Sequence, residues 1–279
     1  MNSIDGAICQ ALIEDVGDGD HTSLACIPKE AIGKVHLLVK ANGILAGVNI
    51  AQRVFNMVDP DIRFHSLLQD GSPIAVGDIA FEAGGRIQSL LKSERLVLNF
   101  MQRMSGIATH THHLVQKIAH THAQLLDTRK TTPNVRIFEK MAVIIGGGQN
   151  HRFGLFDMIL IKDNHVDFAG GIKQAIKATQ DYLHATHRQL SVEIEVRSFD
   201  ELQQVLDYGG IDRIMLDNFT PDNLAKAVAI VNHRYQTEAS GNITNDTIVA
   251  YAETGIDYIS VGSLTHQIQS LDLSLKAFD

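Results

Sequence analysis

Four positive side chains gather in one stretch of the sequence. Arg129 and Lys130 follow an apolar run that ends in Asp127-Thr128. His151-Arg152 follows a triple glycine, Gly146 to Gly148, and Lys162 caps a second apolar run from Met158 to Ile161. Like charges this close repel one another unless an anion lies among them, and the arginine fork matches a carboxylate or phosphate. Any one of these cations could simply solvate a loop end; four of them on strand ends, around a glycine-rich loop, read as an anion pocket. Farther along, Glu195 and Asp217 end the runs VEIEV and RIMLD. Such carboxylates suit hydroxyl groups or Mg²⁺, an ion that accompanies polyphosphates and keeps some of its waters. Ser240-Gly241 and Gly262-Ser263 end two more runs and offer backbone N–H groups to a phosphate. One anionic acid and one sugar phosphate would satisfy both sets.

The elements that must carry these residues are legible as periodicities. Beyond Leu125 the strands LLDT, MILI, VEIEV, RIMLD, TEAS and YISVG alternate with helical segments at Arg136 to Ile145, Gly170 to His184, Asp200 to Tyr208, Pro221 to Arg234 and Asn245 to Glu253. Repeated βα units predict a parallel sheet. With only about six strands visible, an irregular or incomplete α/β barrel is expected, its chemistry at the C-terminal strand ends. Within VEIEV, Glu193 and Glu195 share one face, which points into the barrel if Val192, Ile194 and Val196 pack on the helices. For Glu193 a salt bridge inside the barrel suffices; Glu195, nearer the mouth, is the functional candidate.

The first hundred residues read differently. Residues 1 to about 30 suggest a helix and then an acidic turn, EDVGDGDHTS from Glu14. Asp15, Asp18 and Asp20 lack calcium-loop spacing, with Cys26 standing where a bidentate glutamate belongs, so capping is the better reading. Short β-rich runs from Val35 to Phe81, punctuated by Asn-Gly, Asp-Gly and Gly-Asp, predict a small sheet with a helix at Ile50 to Met57. Ser89 to His120 reads as a helix broken near Ser105-Gly106, with Arg95 and Arg103 on it. The expected division is an N-terminal α/β sandwich over 1–106 and a barrel over 107–266, with the tail 267–279 packing back on the first domain. His110, His112, His113, His120 and His122 lack a third ligand at a suitable offset, and read as a solvated helix face rather than a metal site.

Composition narrows the class of partner. The 279 residues are 44% hydrophobic, enough for a sizeable core. Aromatic content of 6% without tryptophan argues against a base-stacking surface, and a net charge of −8 against nucleic acid or an anionic membrane. From Arg86 to Lys162, however, eleven Lys/Arg face four Asp/Glu, leaving thirteen against twenty-eight elsewhere. An acidic chain has reserved one basic stretch for a small anion. Two cysteines, Cys9 and Cys26, form no framework. Neither a signal-peptide pattern nor a membrane-length apolar run is evident, so a cytoplasmic location is expected.

These motifs together resemble the quinolinate phosphoribosyltransferase family. The matching pieces are EDVGDGDHTS, SERLVLNFMQRMSGIAT, the run from Leu125 to Val166 with its DTRKT, GGGQNHR and IKDNH elements, VEIEV, IMLDNF and ISVGSLTH, spanning Glu14 to His266. The resemblance implies an N-terminal sandwich, an incomplete barrel of the type II phosphoribosyltransferase kind, and a homodimer with shared active sites, with the possibility of a higher oligomer. It implies transfer of phosphoribosyl from phosphoribosyl pyrophosphate to quinolinate with loss of CO₂, giving nicotinate mononucleotide for NAD biosynthesis. Arg95 would then reach the partner's site. Thr128, Arg129, His151, Arg152 and Lys162 would surround the quinolinate carboxylates, and Lys130 would contact phosphoribosyl pyrophosphate. Glu195 and Asp217 would serve the ribose hydroxyls and Mg²⁺, partly through water and substrate, and with Lys162 would be catalytic. Ser240-Gly241-Asn242 and Val261-Gly262-Ser263 would cradle the 5′-phosphate. One departure is visible: the family usually has Ser-Gly-Gly where this chain has Ser240-Gly241-Asn242, a change that asparagine's tolerance of the left-handed conformation can absorb.

Three other readings compete. Lys162 at a strand end could form a Schiff base in an aldolase. A related protein associated with molybdenum transport would share the DTRKT and NHR elements. A phosphometabolite-binding regulator would leave Glu195 and Asp217, opposite the cations, without a purpose.

Overall fold

A computed structural model describes residues 4–278. What the sequence predicts for residues 1–3, the start of the expected first helix, and for residue 279 at the end of the tail lies outside them. Contacts sort the chain into two compact units that exchange segments. One takes residues up to 113 together with 130–147 and the chain from 263 on, and the other takes 114–129 and 148–262.

In the first unit, helix α1 (Ile4–Val16) ends before Gly17, whose φ is +55°. Asp20 then caps helix α2 (His21–Cys26), its Oδ1 accepting from the Ser23 N–H at 3.1 Å. The acidic turn therefore does capping work. Strands β1 (Ile32–Val39), β3 (Arg63–Ser66), β5 (Ile79–Arg86) and β12 (Leu273–Phe278) make an antiparallel sheet in the order β12-β1-β5-β3, and β2 (Gly43–Ile44) pairs with β4 (Pro73–Ile74). Alternation along β1 buries Val35, Leu37 and Val39 on one face. The C-terminal tail returns to this sheet, with Leu37 opposite Leu275 and Val39 opposite Leu273. Helix α3 (Val48–Val58) buries Ile50, Val54 and Phe55. Phe55 meets Phe64 and Phe81 with ring centroids 4.7–6.0 Å apart in the three pairs. Just past α3, buried Asp59 accepts both arms of Arg86 at 2.7 Å.

Helix α4 (Ile87–Lys117) corrects one expectation, since it runs unbroken through Ser105-Gly106. The two residues serve contacts rather than a break. Ser105 Oγ accepts from the Ala46 N–H at 2.9 Å, and a Cβ on Gly106 would stand 2.3 Å from the Gln269 carbonyl oxygen. Glycine is needed there because the tail crosses the helix closely. Helices α5 (Arg136–Ile145) and α11 (Ser263–His266) also belong to this unit.

The second unit is built on a parallel sheet of β6 (Gln124–Leu126), β7 (Ile159–Ile161), β8 (Val192–Val196), β9 (Arg213–Asp217), β10 (Gln236–Ser240) and β11 (Tyr258–Ser260). Their order is β6-β11-β10-β9-β8-β7. The two strands that follow each other first in sequence stand at opposite ends, as in a barrel left incomplete. Every residue of β8 is buried, as expected for a strand covered on both faces. Helices α6 (Asp163–Ala169), α7 (Ile172–Thr186), α8 (Phe199–Tyr208), α9 (Pro221–Val231) and α10 (Ile248–Ala252) turn apolar stripes inward, such as Leu202, Val205 and Leu206 of α8. Their starts are chemically marked. Ser198 caps α8, and Thr220 caps α9 with Pro221 in its first turn.

Candidate active site

The second unit brings most of the expected residues to the C-terminal ends of its strands. Strand β6 ends at Leu126, and the buried Asp127 follows. Gln149 runs alongside as a one-residue parallel bridge to Leu126, its N–H bonded to Leu125 O at 2.8 Å and its carbonyl accepting from the Asp127 N–H at 3.1 Å. Asp127 Oδ1 accepts from the His151 N–H at 2.9 Å. The glycine-rich turn, with Gly147 at φ +93°, thus carries the chain back beside β6 and delivers His151-Arg152 next to Thr128-Arg129. Arg129 lies near enough to lower the pKa of the Arg152 guanidinium, though burial lowers it more. Arginine nevertheless stays charged at neutral pH. Two guanidinium groups side by side could hold an anion such as a carboxylate.

His151 is buried and has a fixed orientation. Its Nδ1 accepts from the Arg152 N–H at 2.7 Å, while Nε2 lies 3.0 Å from Glu193 Oε2 and 3.5 Å from Glu238 Oε2. Arg213 donates to Glu238 at 3.0 Å and stacks on the Tyr258 ring at 4.2 Å. Burial pushes the Glu193 and Glu238 carboxyls up from the usual range, with Arg213 opposing the shift in each. Three ligand-type atoms of His151, Glu193 and Glu238 lie within 4.8 Å of one another. A metal on Nε2 would require Nδ1 to carry the proton, yet Nδ1 faces a backbone donor. The cluster is therefore a buried polar group inside the sheet, in which Arg213 donates to Glu238 and the Arg152 N–H fixes the His151 ring through Nδ1. Glu193 meets the expectation of an internal bridge, with a histidine as its partner.

Lys162 follows β7, its N–H donating to His165 Nδ1 at 2.9 Å. Its Nζ reaches Glu195 Oε2 at 3.3 Å. The cationic and anionic walls expected from the sequence therefore meet through this pair. Burial raises the Glu195 pKa, Lys162 lowers it, and Asp217 raises it again. Glu195 lies opposite Met215 in the β8–β9 ladder, so Asp217, two residues on, shares its face. Asn218 after β9 has φ +57° and donates to Asp217 Oδ2 at 2.6 Å, while its N–H bonds to Ser240 O at 2.8 Å. Asn242 donates to Asn218 Oδ1 at 3.1 Å. Its φ of +53° is the left-handed conformation that the departure from Ser-Gly-Gly requires. Gly241, at φ +97°, lies so near Asn218 that a Cβ would stand 2.2 Å from its Oδ1. Val261 bonds through its N–H to Leu126 O at 2.9 Å, so Gly262 emerges beside the end of β6.

Three expected residues belong to the first unit. Arg95 is exposed on α4, Lys130 is exposed just after the strand-end loop, and Ser263 opens α11. Glu238, Arg213 and Asn218 were not expected as site residues. Glu238 carries the same signal as Glu193, a carboxylate on the inward face of a strand, and could have been found by it; Asn218 carries only its tolerance of left-handed backbone.

The chain matches the family models for the C-terminal domain of quinolinate phosphoribosyl transferase over residues 107–276 and for its N-terminal domain over 20–105. It is 44% identical to a quinolinate phosphoribosyltransferase [decarboxylating] of Nicotiana tabacum, covering 97% of this chain and 81% of that one. With a probable nicotinate-nucleotide pyrophosphorylase [carboxylating] of Bacillus subtilis it shares 38%, covering 94% and 89%. The crystal structure of NadC from Streptococcus pyogenes superposes with a TM-score of 0.93 at 40% identity over 99% of this chain and 97% of that one. Both domain models and close likeness along nearly the whole length agree, and the chain belongs to the quinolinate phosphoribosyl transferase family.

Proposed function

We propose that this protein transfers the phosphoribosyl group of phosphoribosyl pyrophosphate to quinolinate and releases CO₂, forming nicotinate mononucleotide for NAD biosynthesis. The observation that supports the reading is the meeting of Lys162, Glu195 and Asp217 at the adjacent ends of β7, β8 and β9, the Lys162–Glu195 pair 3.3 Å apart, with Arg129 and Arg152 close to each other in the same unit and Arg152 near Glu193 of β8. On this reading Arg129 and Arg152 grip the quinolinate carboxylates, with Thr128 and His151 beside them. The pyridine nitrogen attacks the anomeric carbon, a C–N bond forms, and the C–O bond to pyrophosphate breaks. Glu195 and Asp217 stabilise the positive charge that develops on the sugar. The C–C bond to the 2-carboxylate then breaks. Its electron pair remains on the ring beside the now cationic nitrogen and takes up a proton from solvent water, with Lys162 holding that carboxylate as it departs as CO₂. Lys130 contacts the pyrophosphate, and the loops Ser240-Gly241-Asn242 and Val261-Gly262-Ser263 take the 5′-phosphate.

Mg²⁺ belongs to this proposal. Two carboxylates on one sheet face, Glu195 and Asp217, form the hard oxygen donor set this ion takes, with water and substrate completing it. When bound, the ion would neutralise charge on the leaving pyrophosphate. A homodimer in which Arg95 serves the partner's site is likewise proposed.

Lys162 Nζ lies 3.3 Å from Glu195 Oε2, a charge pairing that the two-substrate reading uses and a Schiff-base aldolase does not call for. The aldolase reading is not favoured, nor is the paralogue associated with molybdenum transport, given 44% identity to a relative named as decarboxylating. The decisive assay supplies quinolinate, phosphoribosyl pyrophosphate and Mg²⁺ and follows nicotinate mononucleotide and CO₂. Both should appear together, and absence of either from folded protein overturns the reading.

A further inference from the structure

We propose that Arg103, Glu139 and Thr265 are positioning residues that hold the main chain of residues 130–132 and so aim Lys130 at phosphoribosyl pyrophosphate. The inference rests on the reading that Lys130 contacts that substrate. Lys130 is an exposed lysine on a long flexible stem, with rotamer freedom to lose when it is aimed. Its backbone, by contrast, is pinned at residues 130 and 132, and the Thr131 side chain between them is held as well. The fully buried Thr265 donates through Oγ1 to the Lys130 carbonyl at 2.8 Å. Arg136 Nε donates to Thr131 Oγ1 at 2.8 Å. The Thr132 N–H donates to Glu139 Oε2 at 3.0 Å.

The two outer pins are themselves joined. Arg103 donates through Nε and Nη2 to Glu139 Oε1 at 3.1 and 2.8 Å, and its Nη2 also donates to the Thr265 carbonyl. Glu139 is 1% exposed, so its charge has been desolvated and is balanced by the arginine fork. Closing a surface loop over a core needs only apolar packing. A buried ion pair that spends both carboxylate oxygens, one on arginine and one on a loop N–H, fixes direction as well. Thr265 also sits two residues after Ser263 on α11, so the residue expected at the 5′-phosphate and the one gripping Lys130 share a single turn.

Thr265→Val removes the hydroxyl while keeping the shape. We expect the KM for phosphoribosyl pyrophosphate to rise about threefold to tenfold, the size of one lost hydrogen bond, with the KM for quinolinate constant within about twofold. Thr265→Ser should restore the parent value. Should the valine variant fail to fold, Thr265→Ala gives the same comparison without a methyl group against the carbonyl. Equal changes in both KM values, no change in a folded variant, or failure of serine to restore would each overturn the inference. If the parent protein makes no nicotinate mononucleotide, or Lys130→Ala leaves the KM for phosphoribosyl pyrophosphate unchanged, the underlying reading falls first and takes the inference with it.

Discussion

Lys162 and Glu195 form the pair on which two charge sets converge, and each side chain conditions the other. The ammonium lies 3.3 Å from a carboxylate that is nearly buried, whereas the lysine itself is about half exposed. Removing the lysine therefore does two things at once. It deletes the cation expected to hold the departing carboxylate, and it leaves Glu195 with the desolvation and the Asp217 repulsion that already raise its pKa. Lys162→Ala should lower kcat by about a hundredfold or more, the scale on which a single preorganised electrostatic partner acts in a site of this kind. Release of labelled CO₂ from quinolinate under single-turnover conditions measures it, and a near-parent rate would take Lys162 out of the mechanism.

At the scale of elements, two contacts decide how α4 and the first sheet are built. Replacing a helical glycine by alanine normally gains about 1 kcal/mol. At Gly106 the new Cβ would meet a backbone oxygen at 2.3 Å, an atom that cannot swing aside. Overpacking against backbone costs about 1–3 kcal/mol, so Gly106→Ala should be a net loss, seen as a lower urea midpoint. A gain would mean that the tail crossing is looser than the contact implies. The second contact is Asp59 with Arg86. The arginine fork holds the Asp59 carboxyl far below the usual range, against the opposing effect of burial. Its stabilising effect is complete above the unfolded-state pKa of about 3.9 and is lost as pH falls through the lower folded value. Asp59→Asn should therefore lower the urea midpoint at neutral pH, and the gap to the parent should narrow only well into the acid range. The gap should begin to narrow below about pH 4 and go on narrowing with further acid; a gap unchanged down to pH 3, or one that closes already near pH 6, would refute the pair's role.

Gly106 also marks where the sequence was misleading. A Ser-Gly pair in a helical pattern signals a break when only local conformation is weighed, and its actual partner, Gln269, lies far along the chain. The same limit explains the other omissions. Strand β12 and helix α11 sit in a short tail whose pairing with β1 is set by distant residues, and α6 begins directly at a strand end, where no periodic run announces it. By contrast the six parallel strands were legible, because each is a short apolar run ending in polar chemistry. The places of Arg129, Lys162, Glu195 and Asp217 at or just after strand ends were legible for the same reason: a charge there is a local signal. Glu139 and Thr265 were not, since a glutamate in a helix and a threonine before a loop look ordinary until the loop they hold is seen.

For the whole molecule, the outstanding question is whether one chain suffices for one site. Arg95 is exposed on α4, in the first compact unit, whereas Arg129, Arg152, Lys162, Glu195 and Asp217 all lie in the second. If Arg95 serves a partner's site in a two-fold dimer, each site draws residues from both chains. Arg95→Ala and Lys162→Ala would then each be inactive as homodimers, by loss of different contributions to the same site. In a mixed dimer, one site collects both defects and the other collects neither. With free exchange of subunits in an equal mixture, about one quarter of all sites should be intact. Recovery to about that fraction of parent activity, appearing at the rate of subunit exchange, is the expected outcome. If Arg95 acted within its own chain, every site in every mixed dimer would keep one defect, and mixing would restore nothing. The two arrangements thus differ by an activity that either returns or does not, and neither folding defects nor small changes in affinity can imitate the return.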